Sequence, residues 1–169
     1  MAPDNRIAIC PGTFDPVTYG HLDVIGRASA MYDHVIVAVV NNPWRKAATL
    51  FTPEERVALV NQATEEFGNV TAEPFSTLVV EFAHERGAMA IVKGLRAISD
   101  FEYEFEMNQL NRRQAQDVES VYIMAAAEYS FVSSSGVKEL ATFGGDIAGY
   151  VHPQVAKRLQ EELARASRS

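Results

Sequence analysis

The chain has 169 residues, 47% of them hydrophobic, so it can bury one sizeable core, and no shift in composition marks a second domain. Its 15 lysines and arginines against 22 aspartates and glutamates give a net charge of −7, which argues against a broad nucleic-acid surface or attachment to an anionic membrane. The single cysteine, Cys10, excludes an internal disulfide and a cysteine metal cluster.

The first residues and the apolar runs predict a cytoplasmic protein. Residues 1–6 lack the apolar run of a secretion signal, and no stretch approaches the roughly 18 apolar residues that span a bilayer. We therefore expect neither a membrane nor a nucleic acid as partner. A single domain is expected over residues 1–169, with a frayed polar tail at about 164–169.

Strand and helix patterns alternate along the chain. Five strands are predicted, at 6–10, 34–40, 70–74, 90–93 and 120–125, and several of them are short β-branched runs. Apolar residues at helical spacing predict six helices, at 20–31, 53–67, 78–86, 100–116, 133–143 and 153–165. Thr52, followed by Pro53 and two glutamates, predicts a capped start for the second helix. This order is typical of an α/β fold, a five-stranded parallel sheet with helices on both faces.

A glycine-rich turn and a T-x-G-H tetrad connect the first strand to the first helix, in the segment PGTFDPVTYGH at 11–21. Such a turn points backbone amides and the positive end of the helix at a ligand, which suits phosphate oxygens. Gly12 would let a ligand approach the backbone, Thr13 offers a hydroxyl, and His21 offers a side chain that can carry charge near neutral pH. The alternative is a plain turn with a surface histidine, and the neighbouring residues favour the phosphate site.

Other polar segments follow the remaining strands. They lie at 41–49, 77–78, 93–96 and 129–135. In parallel sheets ligands bind beyond the carboxyl ends of the strands, so all these segments are expected at one edge. Basic residues occur at 45–46, 93–96 and 111–113. Each basic segment alone is typical of solvated surface, so an anion pocket requires that they converge in space.

The fourth predicted helix is apolar on two sides. The pattern indicates either a helix sandwiched inside the monomer or one that packs against another subunit. One stripe holds Phe101, Phe105 and Asn108, and the other holds Tyr103, Met107 and Leu110.

Three motifs in order resemble the bacterial phosphopantetheine adenylyltransferases. They are PGTFDPVTYGH at 11–21, KGLR at 93–96 followed by DFEYE at 100–104, and YSFVSSS at 129–135. T-x-G-H alone would indicate only the wider nucleotidylyltransferase superfamily. The resemblance covers about residues 6–160. It implies a Rossmann-like nucleotidylyltransferase fold, a homohexamer, and a reaction of coenzyme A biosynthesis in which ATP and 4′-phosphopantetheine give dephospho-coenzyme A and pyrophosphate, with Mg²⁺ carried by ATP.

The resemblance also implies which residues bind the two substrates. Those for ATP are Gly12, Thr13, Phe14, His21, Gly94, Arg96, Glu104, Tyr129, Ser133, Ser134 and Ser135. Those for phosphopantetheine are Thr13, Leu78, Val79, Lys93, Asn111 and one of Arg45 and Lys46. An ungapped match selects Arg45 for the acceptor phosphate, whereas a loop shifted by the two extra residues before Phe51 would present Lys46. Many members have arginine in place of Lys93, and lysine keeps the charge without the bidentate fork.

The chemistry expected of this site needs no general base. A phosphate monoester has a second pKa of about 6, so the acceptor is largely deprotonated at neutral pH. Catalysis is then assigned to positioning and electrostatics. His21 and Thr13 would donate to the α-phosphate, Lys93 would bridge the two sets of phosphates, and the turn at 133–135 would hold the β- and γ-phosphates.

Some of these residues have structural alternatives. Asp15 is interpreted as a turn cap in preference to a metal ligand, and no protein metal site is expected. Ser133 and Ser134 are open to two roles, as caps of the helix that begins near Gly136 or as phosphate contacts.

Two rival functions remain at this stage. A nucleotidylyltransferase acting on nicotinamide mononucleotide or glycerol phosphate would share T-x-G-H without the block at 93–104. A non-catalytic module on the same fold would bind ATP and release no pyrophosphate. The presence of both His21 and Lys93 disfavours that module, because a pure binder has no need of donors at the reacting phosphorus.

Overall fold

The computed structural model describes residues 5–41 and 48–166 and has the alternating architecture that the sequence predicts. The strands are β1 (Ile7–Gly12), β2 (His34–Val40), β3 (Val70–Phe75), β4 (Ala90–Leu95) and β5 (Glu119–Met124). The helices are α1 (Tyr19–Met31), α2 (Pro53–Ala63), α3 (Val79–Glu85), α4 (Ile98–Gln114), α5 (Ser134–Thr142) and α6 (Pro153–Ala166). Two short 3₁₀ turns lie at Glu65–Phe67 and Ala127–Tyr129.

Element boundaries differ from the predicted ones where side chains cap the helices. The helix predicted at 53–67 ends at Ala63, because the Thr64 hydroxyl bonds back to the Val60 carbonyl at 2.9 Å and a 3₁₀ turn follows. The predicted start of α2 is confirmed, since Thr52 and Glu55 form a reciprocal capping box. At the end of the chain, α6 runs through 166, so part of the expected frayed tail is helical, and 167–169 lie outside the described residues.

The five strands form one parallel sheet in the order β3-β2-β1-β4-β5. The chain first builds outward from β1 to β3 and then returns to add β4 on the other side of β1. This reversal leaves a crevice between β1 and β4 at the carboxyl edge, which is where such folds bind ligands.

Apolar side chains alternate between the two faces of the sheet. Ala8 and Cys10 of β1 face a core layer shared with α1, α2, α5 and α6. Ile9 faces a second layer, shared with α3 and with Ala115 and Val118 beyond the end of α4. The predicted fold class, a parallel sheet with helices on both faces, is therefore confirmed.

Helix α4 is not sandwiched inside the monomer. None of its seventeen residues, all of which the structure describes, is fully buried. Ile98 is 83% exposed, and Phe101, Phe105 and Leu110 each expose about half of their surface. The prediction that α4 is sandwiched inside the monomer is wrong, because one side of the helix is exposed to solvent in the free chain. Across the described ranges, no helix combines the length and the apolar character that a membrane crossing requires.

Candidate active site

A cavity of about 730 Å³ opens at the carboxyl edge of the sheet, at the crevice between β1 and β4. All three sequence motifs contribute to its walls. The predicted site residues that line it are Gly12, Phe14, His21, Lys93, Gly94, Arg96, Glu104, Ser133, Ser134 and Ser135. Of the three basic segments, 93–96 lines this cavity through Lys93 and Arg96. Residues 111–113 do not line it, and 45–46 lie outside the described residues.

The T-x-G-H tetrad is a helix cap that also orients its histidine. Thr18 is the N-cap of α1, and its hydroxyl accepts from the His21 amide at 3.4 Å. In return, the Thr18 amide donates to Nδ1 of His21 at 3.0 Å. Because Nδ1 accepts, the neutral imidazole carries its proton on Nε2 and is a donor there. The sequence reasoning missed Thr18, which the capping-box spacing, with histidine in place of glutamate, would have identified.

Phe14 shapes the wall beside this histidine. Its backbone has a φ of 52°, and its ring meets the His21 ring edge-on with centroids 5.0 Å apart. A Cβ at Gly12 would lie 2.9 Å from that ring. A side chain at position 12 would therefore collide with Phe14, so the close packing of that ring requires glycine there, and Gly12 itself lines the cavity.

Lys93 and Glu104 form an ion pair in the cavity wall. The Nζ atom lies 2.6 and 2.8 Å from the two carboxylate oxygens, and the Glu104 side chain is only 13% exposed. The Tyr122 hydroxyl donates to the Glu104 carbonyl at 3.2 Å, which fixes α4 beside β5. The Glu104 carboxylate thus balances the charge of the Lys93 ammonium near the carboxyl end of β4.

Arg96 connects the KGLR segment to the serine turn. Its Nη1 donates to the Val132 carbonyl at 2.9 Å. Asp100 accepts from the Arg96 amide at 3.0 Å and lies 3.6 Å from the Arg96 Nε. Asp100 lines the cavity together with Ser99 and Tyr103, none of which the sequence reasoning selected.

The serine turn begins α5 and faces the cavity. Ser133 is the N-cap of this helix and accepts from the Gly136 amide at 3.1 Å, in agreement with the cap alternative. For Ser134 the cap alternative is wrong, because its hydroxyl donates to the Pro16 carbonyl at 2.8 Å and so fastens the first loop to α5. The positive ends of α1 and α5 consequently face one cavity, an arrangement suited to polyphosphate.

Asp15 is a fully buried carboxylate behind the cavity wall. It accepts from the amides of Leu50 and Phe51, each at 2.9 Å, and from Nζ of Lys138 at 2.7 Å. Burial raises the pKa of Asp15, but these hydrogen bonds and the Lys138 charge outweigh it and hold the pKa below its ordinary value. The turn-cap interpretation is corrected, since the partners lie far along the chain.

The buried Asp15–Lys138 pair makes stability sensitive to acid. A carboxylate whose pKa is depressed by folding stabilises the fold above its unfolded pKa, and that contribution is lost as the pH falls through the folded pKa. Lys138→Met removes a hydrogen bond and a charge that lower the pKa of Asp15, so this pKa should be higher in the variant than in the wild type. The variant is therefore expected to unfold in acid at a higher pH. At neutral pH the free energy of unfolding should fall by about 1–3 kcal/mol.

Circular dichroism along a pH titration measures this shift. Arg6→Met is the matched control, since it breaks an ion pair with Asp33 in which both side chains are nearly half exposed. An acid midpoint in Lys138→Met equal to that of the wild type would show that the buried pair does not set the acid limit.

Gly94 allows β4 to pack closely against α1. A Cβ at this position would lie 2.8 Å from Cγ2 of Val24. Gly94→Ala is therefore expected to lower the free energy of unfolding by about 1–3 kcal/mol. In a thermal unfolding series, the double variant Val24→Ala, Gly94→Ala should lose less free energy of unfolding than the sum of the two single variants. The reason is that alanine at position 24 leaves room for the new Cβ at position 94. Strict additivity would contradict the close contact.

Several predicted site residues do not line the cavity. The Thr13 carbonyl accepts from Arg56 at 2.8 Å, and Tyr129 packs against Tyr19 at the start of α1 with ring centroids 6.2 Å apart. Leu78 and Val79 follow β3, two strands away from β1, and Asn111 lies near the end of α4. Arg45 and Lys46, the two alternatives for the acceptor phosphate, lie outside the described residues.

The acidic side chains of the cavity are engaged by cations. Glu104 pairs with Lys93, and Asp100 with Arg96. Within 5–41 and 48–166, no three histidine, cysteine, aspartate or glutamate side chains come together as a set of metal ligands.

Known proteins resemble this chain in sequence and in fold. The cytidylyltransferase-like family model matches residues 9–140. Phosphopantetheine adenylyltransferase of Moorella thermoacetica is 50% identical over 154 residues, which cover 91% of this chain and 95% of that protein.

Among solved structures, a putative nicotinate-nucleotide adenylyltransferase of Vibrio parahaemolyticus superposes with a TM-score of 0.68 at 20% identity, over 95% of this chain and 96% of the other. The nicotinic acid mononucleotide adenylyltransferase of Plasmodium falciparum complexed with NaAD gives 0.63 at 16% identity, over 96% of both chains. At such identities the likeness extends to the fold alone. The family match and the half-identical relative together establish that this chain is a nucleotidyltransferase of the cytidylyltransferase-like family and belongs, within it, to the phosphopantetheine adenylyltransferases.

Proposed function

We propose that the cavity at the carboxyl edge transfers the adenylyl group of Mg²⁺-bound ATP to 4′-phosphopantetheine, a step of coenzyme A biosynthesis. A phosphate oxygen of the acceptor attacks the α-phosphorus, the bond from that phosphorus to the bridging oxygen breaks, and pyrophosphate leaves with dephospho-coenzyme A as the other product. The observation that carries this proposal is the convergence of His21, Lys93 and the N-termini of α1 and α5 on one cavity.

His21 donates to the oxygens of the α-phosphate as charge develops there. Its Nδ1 is occupied by the Thr18 amide, which leaves Nε2 as the donor position of the neutral ring. A donor fixed before the reaction stabilises the transition state without reorganisation. The imidazole takes no proton, because the acceptor phosphate is already an anion at neutral pH.

Lys93 provides the positive charge between the two sets of phosphates. The ammonium can exchange one Glu104 oxygen for a phosphate oxygen while it keeps the other, since both carboxylate oxygens lie within 2.8 Å of Nζ. Arg96, the serine turn at 133–135 and the α5 N-terminus hold the β- and γ-phosphates. The proposed nucleotide site also includes four further residues that line the cavity, Gly12, Phe14, Gly94 and Glu104. Tyr129, which does not line it, is the last residue of that site.

The acceptor side is assigned to residues around and beyond the cavity rim. Thr13, Leu78, Val79, Lys93 and Asn111 are proposed to contact phosphopantetheine, with Arg45 or Lys46 on its phosphate. Mg²⁺ enters as part of the nucleotide substrate and keeps mainly phosphate and water ligands. The engagement of Asp100 and Glu104 by Arg96 and Lys93 fits this assignment, because neither carboxylate is left to hold the ion alone.

A homohexamer is proposed as the working assembly. The exposed apolar side of α4 supports a subunit contact there, because a helix face with Phe101, Phe105 and Leu110 half exposed is unfavourable in water. Light scattering coupled to size exclusion should therefore report a smaller mass for Phe105→Glu. Phe143→Glu, on an aromatic that is 84% exposed after α5, is the comparison. A mass unchanged in Phe105→Glu would remove α4 from the interface.

A pyrophosphate-release assay tests the proposed reaction. The protein is mixed with ATP, Mg²⁺ and one phosphate acceptor from a panel of 4′-phosphopantetheine, nicotinate mononucleotide, nicotinamide mononucleotide and glycerol phosphate, and the product mass is measured. We expect pyrophosphate and the mass of dephospho-coenzyme A with 4′-phosphopantetheine. A mononucleotide or glycerol phosphate as the preferred acceptor would select the rival transferase, and ATP binding without pyrophosphate from any acceptor would select the non-catalytic module.

A further inference from the structure

Arg56 of α2 is fully buried, and its guanidinium donates to four main-chain carbonyls. Its Nη1 donates to Thr13 and to Val40, each at 2.8 Å. Its Nη2 donates to Asn41 at 3.1 Å, and its Nε donates to Phe51 at 3.2 Å. One guanidinium therefore ties together the loop after β1, the end of β2 and the segment that precedes α2.

The geometry of arginine makes this connection rigid. The guanidinium is planar, and its five N–H donors point in fixed directions, so the carbonyls around it must keep their relative places. Burial lowers the pKa of Arg56, and the nearby Asp15 charge opposes that shift. A charge taken out of water in this way is stable only when its hydrogen bonds are made, so the fold favours the arrangement in which all three segments are in place.

Asp15 reinforces the same connection from the other side. Its carboxylate accepts from the amides of Leu50 and Phe51 at 2.9 Å, so Phe51 is held by its amide to Asp15 and by its carbonyl to Arg56. Asn41, Leu50 and Phe51 are thus attached to the loop that contains Thr13.

We propose that Arg56 is a positioning residue for adenylyl transfer. It holds Thr13 in one arrangement against the end of β2 and the segment that precedes α2, so that the acceptor phosphate is presented in line with the α-phosphorus. This role rests on the proposed function. Arg96 is bonded to Val132 and Ser133 to Gly136, outside the three segments that Arg56 holds, so loss of the Arg56 connection should affect the transfer more than nucleotide affinity.

The test compares Arg56→Lys with a control that also loses side-chain hydrogen bonds to main-chain carbonyls. Lysine keeps the charge but replaces the fork by a point donor. The control is Asn69→Ala, because the Asn69 amide also donates to main-chain carbonyls, those of Ser29, Tyr32 and Asp33, at the opposite edge of the sheet. Thermal midpoints, kcat, the KM for 4′-phosphopantetheine and the Kd of ATP from calorimetry are measured for both variants, well below their midpoints.

Arg56→Lys is expected to lower kcat about 10- to 100-fold, because small displacements of reacting groups are costly in rate. The Kd of ATP should stay close to the wild-type value, and Asn69→Ala should lose thermal stability without loss of kcat. A kcat in Arg56→Lys equal to that of the wild type, or an equal loss in Asn69→Ala, would overturn the positioning role.

Asp15→Asn provides a second variant if Arg56→Lys is not obtained folded. This change replaces one acceptor oxygen by an NH₂ donor, which then faces a backbone amide. We expect kcat to fall while the Kd of ATP stays close to the wild-type value. Retention of kcat would contradict the proposal. Failure of the proposed function is distinguishable, because it would appear in the wild type as absence of product.

Discussion

His21→Ala is expected to lower kcat roughly 100-fold or more, with little change in the Kd of ATP, because it removes one preorganised donor to the transition-state oxygens. The capping box predicts where the donor atom is, since the Thr18 amide occupies Nδ1. Steady-state kinetics and calorimetric ATP binding provide the two numbers. A parallel fall of kcat and ATP affinity, or an unchanged kcat, would make His21 a binding or structural residue.

The control for this variant must reproduce the structural cost of losing a capping side chain. Glu55 occupies the same third position in the capping box of α2 that His21 occupies in α1. Glu55→Ala also removes an ion pair with Arg158, so its effect on stability should be at least comparable. Because Glu55 lies outside the cavity, we expect its kcat to match the wild type, which separates lost chemistry from lost capping.

Lys93→Met is expected to lower kcat/KM about 100-fold or more, through loss of the charge that neutralises the reacting phosphates. It also leaves the Glu104 carboxylate, 13% exposed, without its cation beside a polyphosphate. That repulsion should weaken ATP binding, so Lys93→Met differs from His21→Ala in raising the Kd of ATP. Steady-state kinetics with both substrates, and ATP calorimetry, measure the two effects.

Two companion variants test the cause of the Lys93 effect. Glu104→Gln added to Lys93→Met should recover ATP affinity without recovering kcat, because it removes the repulsion but restores no cation. Lys93→Arg should retain activity, since arginine keeps the charge. Full activity in Lys93→Met, or no recovery of ATP affinity in the double variant, would contradict the role assigned to the pair.

Much of the fold was predictable because strands and helices here carry their local signals. All five predicted strands are present, several of them marked by β-branched runs, and Thr52 with Pro53 identifies the start of α2. Parallel strands have their carboxyl ends at one edge, which is why the sequence predicts His21 and Lys93 there. That β4 lies directly beside β1 follows from the structure. The structure places both in one cavity wall.

What the sequence left open depends on contacts between distant residues. Arg56 follows two glutamates in an ordinary helix pattern, and nothing in that spacing indicates a buried guanidinium whose partners are carbonyls of other segments. The Lys93–Glu104 pair likewise requires the relative placement of β4 and α4. For α4, burial within the monomer and contact with another subunit produce the same apolar pattern, so only the structure could exclude the first.

Transfer of a radioactive label from ATP tests the central claim most directly. The protein is incubated with Mg²⁺, 4′-phosphopantetheine and ATP labelled with ³²P at either the α- or the γ-phosphorus, and the products are separated. Attack at the α-phosphorus predicts that dephospho-coenzyme A carries label only from α-labelled ATP, while γ-labelled ATP gives labelled pyrophosphate. Label from the γ-phosphorus in the acceptor, or no labelled acceptor with either nucleotide, would contradict adenylyl transfer by this cavity.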